Sequence, residues 1–202
     1  MNSSGATRGG ILYLVVGPSG VGKDTLLERA QPQLSATHYF ARRVVTRPAD
    51  AGGEDHEAVG EAEFAAMAAA GAFALHWSAH GLHYGIRESD ARLLTEGTHV
   101  VANVSRAVVQ PARLRFPRLR VVHVTASPAT LRERLRQRGR ETPEEIESRL
   151  LRAAADAPTG AEVLTVRNDG EIEDALARFI EALTAAHTAD CSNLQPEISP
   201  RR

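Results

Sequence analysis

Short, fully apolar runs alternate along the chain with stretches that are apolar on one side only. Ile11 to Val16 is a continuous apolar run, which predicts a strand buried on both faces. Lys23 to Gln33 predicts a helix with Leu26, Leu27 and Ala30 facing inward. Tyr39 to Val45 reads as a second strand, and Gly60 to Ala70 as a short helix stopped by Gly71. Phe73 to Trp77 and His83 to Ile86 read as two short strands around the turn SAHG, a small hairpin. Val100 to Val104 and Arg120 to Thr125 are further strands, each followed by a helix opened by Ser105 or by Ser127-Pro128. Thr142-Pro143-Glu144-Glu145 is a capping box, and Ile146 and Leu150 share one face of the helix it opens. Val163 to Val166 is the last strand, and Asn168-Asp169-Gly170 turns into a closing helix that ends near His187. Such alternation predicts an α/β fold, a mostly parallel sheet with helices on both faces.

Composition narrows the class. With 202 residues, 43% of them hydrophobic, one domain with room for inserted lobes is expected. The polar ends, 1–9 and 188–202, are expected to be disordered and to flank a domain at 10–187. The 24 basic and 25 acidic residues give a net charge of −1, which argues against a nucleic-acid binder. The single cysteine, Cys191, allows no internal disulfide and fits a reducing cytoplasm. The stretch MNSSGATRGG lacks the apolar run of a secretion signal, and no segment approaches the roughly 18 apolar residues of a membrane span. A cytoplasmic protein with no membrane partner is the expectation.

The chemistry begins at GPSGVGKDT, Gly17 to Thr25. A strand, a glycine-rich turn and a helix in that order form the context of a phosphate-binding loop, G-x-x-x-x-G-K-[ST]. Gly17, Pro18, Ser19, Gly20, Val21, Gly22 and Lys23 fit it. Backbone N–H groups of such a loop surround phosphate oxygens, the helix N-terminus adds partial positive charge, and Lys23 reaches the terminal phosphates. The hydroxyl that meets magnesium is expected at the next position, where Asp24 stands, and Thr25 supplies it one place later. Asp24 either holds the metal, directly or through water, or binds a basic side chain and orients the loop, or faces outward from the first helical turn. ATP and Mg2+ are the expected cofactors.

Beyond the loop, T-R-P at Thr46 to Pro48, H-G-x-x-Y-G at His80 to Gly85, R-L-R-Q-R-G-R at Arg134 to Arg140 and I-E-S-R-L ending at Leu150 follow in order. From about Ile11 to His187 the chain resembles the guanylate kinase family. That resemblance implies a P-loop kinase fold with an inserted acceptor-binding lobe, about 38–86, and a lid, about 134–150. It also implies transfer of the γ-phosphoryl group of ATP to a small phosphorylated acceptor. Four positions depart from the family. Asp50 stands where a second arginine is usual, His76 and Asn103 replace acidic readers of guanine, and Arg43 replaces a serine of the phosphate site. A pocket without its base readers discriminates poorly for a purine, whereas Arg42 and Arg43 beside Arg47 suit an acceptor with more than one phosphate. The departures resemble those of the ribose 1,5-bisphosphate phosphokinases of phosphonate breakdown. The shared runs are A-R-R-x-x-T-R-P at Ala41 to Pro48, G-x-E-x-H at Gly52 to His56, N-x-S-R at Asn103 to Arg106 and R-G-R-E at Arg138 to Glu141. This implies that ribose 1,5-bisphosphate becomes 5-phosphoribosyl 1-diphosphate.

Roles follow from the resemblance. Arg43 and Arg47 would hold the acceptor phosphates, with Tyr84 hydrogen-bonding one of them unless it is a packing tyrosine. His56 and Glu54 would touch ribose hydroxyls, His76 would stand at the former base-reading position, and Asn103 and Arg106 would face the acceptor. Arg138, Arg140 and Arg149 would neutralise the transferring group, while Arg132 and Arg136 belong to a solvated helix face above Leu131 and Leu135. Asn168 and Asp169 would border the adenine. His76, His80 and His83 invite a metal reading, but residues four apart on a strand are about 13 Å apart, too far to share an ion. Competing readings are a guanylate kinase with an altered base site and a scaffold domain that binds partners without catalysis. Sequence leaves the oligomeric state open.

Overall fold

A computed structural model of the chain describes residues 9–48, 55–139, 142–155 and 157–185. The elements run β1 (Leu12–Val16), α1 (Lys23–Leu34), β2 (His38–Phe40), β3 (Arg43–Val45), β4 (His56–Ala58), α2 (Glu61–Ala69), β5 (Phe73–Ala79) and β6 (Leu82–Arg87). After these come α3 (Glu88–Arg92), β7 (His99–Asn103), α4 (Val109–Arg115), β8 (Leu119–Thr125), α5 (Pro128–Arg138), α6 (Pro143–Ala155), β9 (Val163–Arg167) and α7 (Ile172–Thr184). Short 3-10 turns at Leu93–Glu96 and Arg106–Val108 complete the order.

Five strands make a parallel sheet in the order β2-β7-β1-β8-β9. β1 is buried at all five positions because neighbours and helices cover both of its faces. Tyr13 and Val15 pack toward Leu26 of α1, Leu135 of α5, Ile146 of α6 and Phe179 of α7. Leu12, Leu14 and Val16 pack toward Val104, Val108 and Ala112 on the other side. Each large side chain so buried contributes about 1.5–3 kcal/mol. The parallel sheet with helices on both faces is the α/β architecture that the sequence predicts.

A second sheet, β4-β3-β6-β5, forms the inserted lobe. Its β6 is antiparallel to β3 and β5, and β3 is parallel to β4. Helix α2 covers it through Phe64, whose ring stacks on Phe73 at 4.6 Å. The run Tyr39 to Val45 is therefore two strands in two sheets, not one. Ala41 N–H still donates to Val101 O of the core sheet, but Arg42 turns away to pair with Asp55 and the His56 carbonyl. The inserted sheet accordingly starts at Arg43 rather than near residue 38 and closes at Arg87. Its strand β4 and the helix α3 escaped the sequence reading because elements of three and five residues carry no measurable period.

The predicted caps form. Ser127 Oγ accepts from Thr130 N–H, and Thr142 and Glu145 bond each other's backbone N–H groups. The last helix ends at Thr184, short of the end expected near His187, and Asp50, Glu54, Glu141 and Cys191 lie outside the described residues.

At the amino ends of the core strands His38 and His99 lie ring to ring at 4.8 Å beside Tyr13. His38 Nε2 donates to Leu183 O, and His99 Nδ1 accepts from Ile11 N–H, which requires an unprotonated Nδ1. Burial holds both imidazoles below their usual value. The folded state thus prefers them neutral, so this stability is present above the unfolded value of about 6.5 and is lost as pH falls below it. Urea unfolding across pH 7.5 to 5 is expected to show a falling midpoint, and a His38→Gln, His99→Gln double variant a flatter profile. Parallel profiles would rule the pair out as the cause.

Candidate active site

The loop between β1 and α1 lies at the carboxyl ends of the core strands, where open α/β sheets bind ligands. Two glycines leave no room for a side chain. A Cβ on Gly17 (φ 153) would meet Val124 O at 2.2 Å, and one on Gly22 (φ 91) would meet Asn168 Nδ2 at 2.6 Å. Asn168 is buried, and its amide donates to Val21 O, so the end of β9 braces the loop from behind. Helix α1 starts at Gly22 with no side-chain cap, which leaves its first N–H groups for an anion. Lys23 Nζ donates to Gly17 O at 2.8 Å and Pro18 O at 3.1 Å, across the mouth of the loop.

A cleft of about 390 Å³ opens in front of the loop. Lys23, Asp24 and Thr25 line its floor; Arg43, Trp77, His80 and Tyr84 come from the lobe; Asn103 ends β7, and Ser105 and Arg106 follow it; Arg138 ends α5. A second hollow of about 450 Å³ lies behind Gly20 and Gly22, bordered by Arg29, Arg134, Arg138 and Asn168. Arg138 belongs to both.

Asp24 accepts a hydrogen bond from Asn103 Nδ2 at 2.9 Å. Of the arrangements open to it, this one turns the carboxylate toward the end of β7, where an amide meets it. Asn103 is buried and stands level with Val15 of β1, so its position is fixed by the sheet. Asp24→Asn would replace the acceptor with an amide that can turn either way. It is expected to weaken the Mg2+ dependence of ATP binding more than ATP binding itself, read by calorimetry at two magnesium concentrations. An unchanged magnesium dependence would remove Asp24 from any metal role.

Other expected site residues fall elsewhere. His56 is buried behind Arg47: its Nε2 donates to Arg47 O at 3.2 Å, and its Nδ1 lies 3.4 Å from Arg47 Nη2. It supports Arg47 from within the lobe rather than reaching the cleft. Arg47 itself does not line the cleft. His76 faces away because residues on β5 alternate: Trp77 points to the cleft and His76 to the α2 side, where the irregular register between Phe73 and Leu75 also brings Phe73. His83 shares that far side, stacked on Phe64. Arg149 is half-buried on α6 and is not part of the cleft wall, because Ile146 and Leu150 turn α6 onto α5 and the core. The Arg132–Glu147 pair joins the same two helices. Arg140 lies outside the described residues. Asp169 accepts from Ser127 N–H, Thr130 Oγ1 and the Arg167 guanidinium. The Ser127 N–H, first among these, holds its carboxyl far below the usual range. This carboxylate ties β9 to the start of α5.

Sequence reading missed the cleft roles of Trp77, His80 and Ser105, and the burial of His123. His123 stands level with Val16 on β8, and among the described residues its Nε2 has no hydrogen-bond partner. Burial, then the charges of Arg106 and Lys23, keep it below its usual value. A lone polar letter in VVHVT was the available signal.

Residues 14–152 match the family described as AAA domain. A ribose 1,5-bisphosphate phosphokinase PhnN of Chromobacterium violaceum is 50% identical over 171 residues, 84% of this chain and 91% of that one. A bifunctional ribose 1,5-bisphosphokinase-thymidine phosphorylase of Azorhizobium caulinodans is 48% identical over 178 residues. The chain spans about a quarter of that longer relative, 26% of its length. A guanylate kinase from Anaplasma phagocytophilum superposes with a TM-score of 0.66 at 19% identity, covering 91% of this chain and 89% of that one. At that identity the likeness is one of fold.

Proposed function

The chain belongs to the ribose 1,5-bisphosphate phosphokinase family, with residues 14–152 in the AAA domain family, and on that premise we propose that it phosphorylates ribose 1,5-bisphosphate with ATP. The product is 5-phosphoribosyl 1-diphosphate. The observation that carries the reading is Arg43 held over Tyr84 on the cleft wall facing the phosphate loop, while His76, at the former base-reading position, turns away.

The nucleophile is an oxygen of the anomeric phosphate. A phosphomonoester has a second pKa near 6, so that oxygen is already ionised at neutral pH and no general base is required. A bond forms from it to the γ-phosphorus as the bond to the β–γ bridging oxygen breaks, and the electron pair leaves on ADP. Catalysis is then positioning and charge neutralisation. Lys23 and the loop N–H groups hold the donor. Arg43 and Tyr84 hold the acceptor, Arg106 adds positive charge beside Asn103, and Arg138 meets the transferring group from the lid. Arg47, braced by His56, supports the acceptor lobe. Asp24 and Thr25 are both exposed on the cleft floor and offer hard oxygen donors that suit Mg2+. When bound there, the ion neutralises charge on the donor phosphates.

Coupled assays offering ATP with ribose 1,5-bisphosphate, ribose 5-phosphate or GMP test the reading. Turnover is expected with the bisphosphate, and a preference for GMP would overturn it in favour of a guanylate kinase.

A further inference from the structure

Tyr84 stands between two partners. Its ring stacks on Trp77, with 5.4 Å between centroids and 7° between planes. The Arg43 guanidinium carbon lies 5.2 Å from the centre of the same ring. Strand order fixes the sides from which these partners come. β6 carries Tyr84 and lies between β3, which carries Arg43, and β5, which carries Trp77. Trp77 and Tyr84 are direct cross-strand partners, and Arg43 is two residues from Val45, the partner of Tyr84 on β3. All three therefore rise from one face of the lobe sheet. The indole approaches the ring from one side and the guanidinium from the other.

The layers differ in rigidity. Trp77 is 9% exposed and is rooted among Leu75, Ile86 and Val104. Tyr84 and Arg43 are half-buried and reach the cleft. An arginine on an aromatic face keeps its guanidinium edges for oxygen acceptors while its long stem loses few conformations.

We infer that Trp77 is a positioning residue: backed by its indole, Tyr84 holds the Arg43 guanidinium toward the acceptor and keeps neither ring face for a nucleobase. The inference rests on the reading of this cleft wall as the acceptor side. It gives the wall a selection rule, in which phosphate oxygens are held by charge and a base finds no aromatic face of Tyr84 to stack on.

The test is a double-mutant cycle on the full chain at saturating ATP, with acceptor KM, kcat and ATP KM measured for Trp77→Leu, Arg43→Ala and the pair. Trp77→Leu is expected to raise acceptor KM about tenfold, with kcat and ATP KM changed no more than about twofold. Trp77→Phe, which keeps a flat backing ring, is expected to recover most of the loss. In the Arg43→Ala background Trp77→Leu should add nothing. A KM effect of full size without Arg43, or a parallel fall in kcat and ATP affinity, would overturn the inference. If Trp77→Leu does not fold, Tyr84→Leu against Tyr84→Phe isolates the same ring: equal acceptor KM for the two would also refute it. The wild-type chain is first assayed with ribose 1,5-bisphosphate and with GMP. Preference for GMP defeats the functional reading and the selection rule, and the cycle run with GMP then decides the positioning of Arg43 separately.

Discussion

Lys23→Ala is expected to lower kcat about 10³-fold while the unfolding midpoint stays within a few degrees. The large kinetic effect follows from where the ammonium group sits. It bridges Gly17 O and Pro18 O at the mouth of the loop, so it is held where the proposed reaction would bring the terminal phosphates. Two anionic groups must approach each other in the proposed reaction, and a point charge at that position would lower the barrier more than it strengthens ground-state binding. Stability changes little because Lys23 is only half-buried, so water can reach the two carbonyls. Steady-state kinetics beside thermal unfolding check both halves. A kcat within tenfold of wild type would show that the loop lysine is not the charge the transition state meets.

Arg138→Ala is expected to cost a similar factor, about 10³ in kcat, with ATP and acceptor KM changed only a few-fold. Arg138 ends α5, where Gly139 (φ 63) takes the left-handed conformation that stops the helix. Its side chain borders both the cleft and the hollow behind the loop, so in the proposed reaction it would lie between donor and acceptor. Arg138→Lys should recover only part of the loss, since an ammonium cannot bridge two oxygens as the guanidinium fork does. Arg132→Ala is the contrast: that side chain is paired with Glu147 on the outer surface of the lid helices, and its loss should leave kcat nearly unchanged. Equal losses at both positions would mean that the lid acts through its fold and not through one charge.

Much of the fold was legible because its signals are local. The apolar run of β1, the glycines of the loop, the capping box at Thr142 and Glu145 and the serine cap at Ser127 each act within one turn or one strand. The phosphate loop and Arg43, Tyr84, Asn103, Arg106 and Arg138 were nominated from motifs, and the structure gathers them around one cleft. The break between β2 and β3 was not legible. Both halves of Tyr39 to Val45 suit a strand, and only pairing to β7 on one side and β6 on the other separates them. His56 and His76 looked like site residues for the same reason: identity and order were right, but the letter alone does not say which face of a strand it takes.

The sequence by itself determined a nucleotide-type phosphate loop between a buried strand and an uncapped helix, because sterics and backbone hydrogen bonding act over neighbouring residues. Only the tertiary structure decided that Asp24 meets Asn103, that His56 braces Arg47, and that Trp77 and Arg43 flank Tyr84. Those contacts join residues up to 79 positions apart. They depend on sheet order and on the two-residue alternation of strands, which long-range packing sets and no local pattern contains.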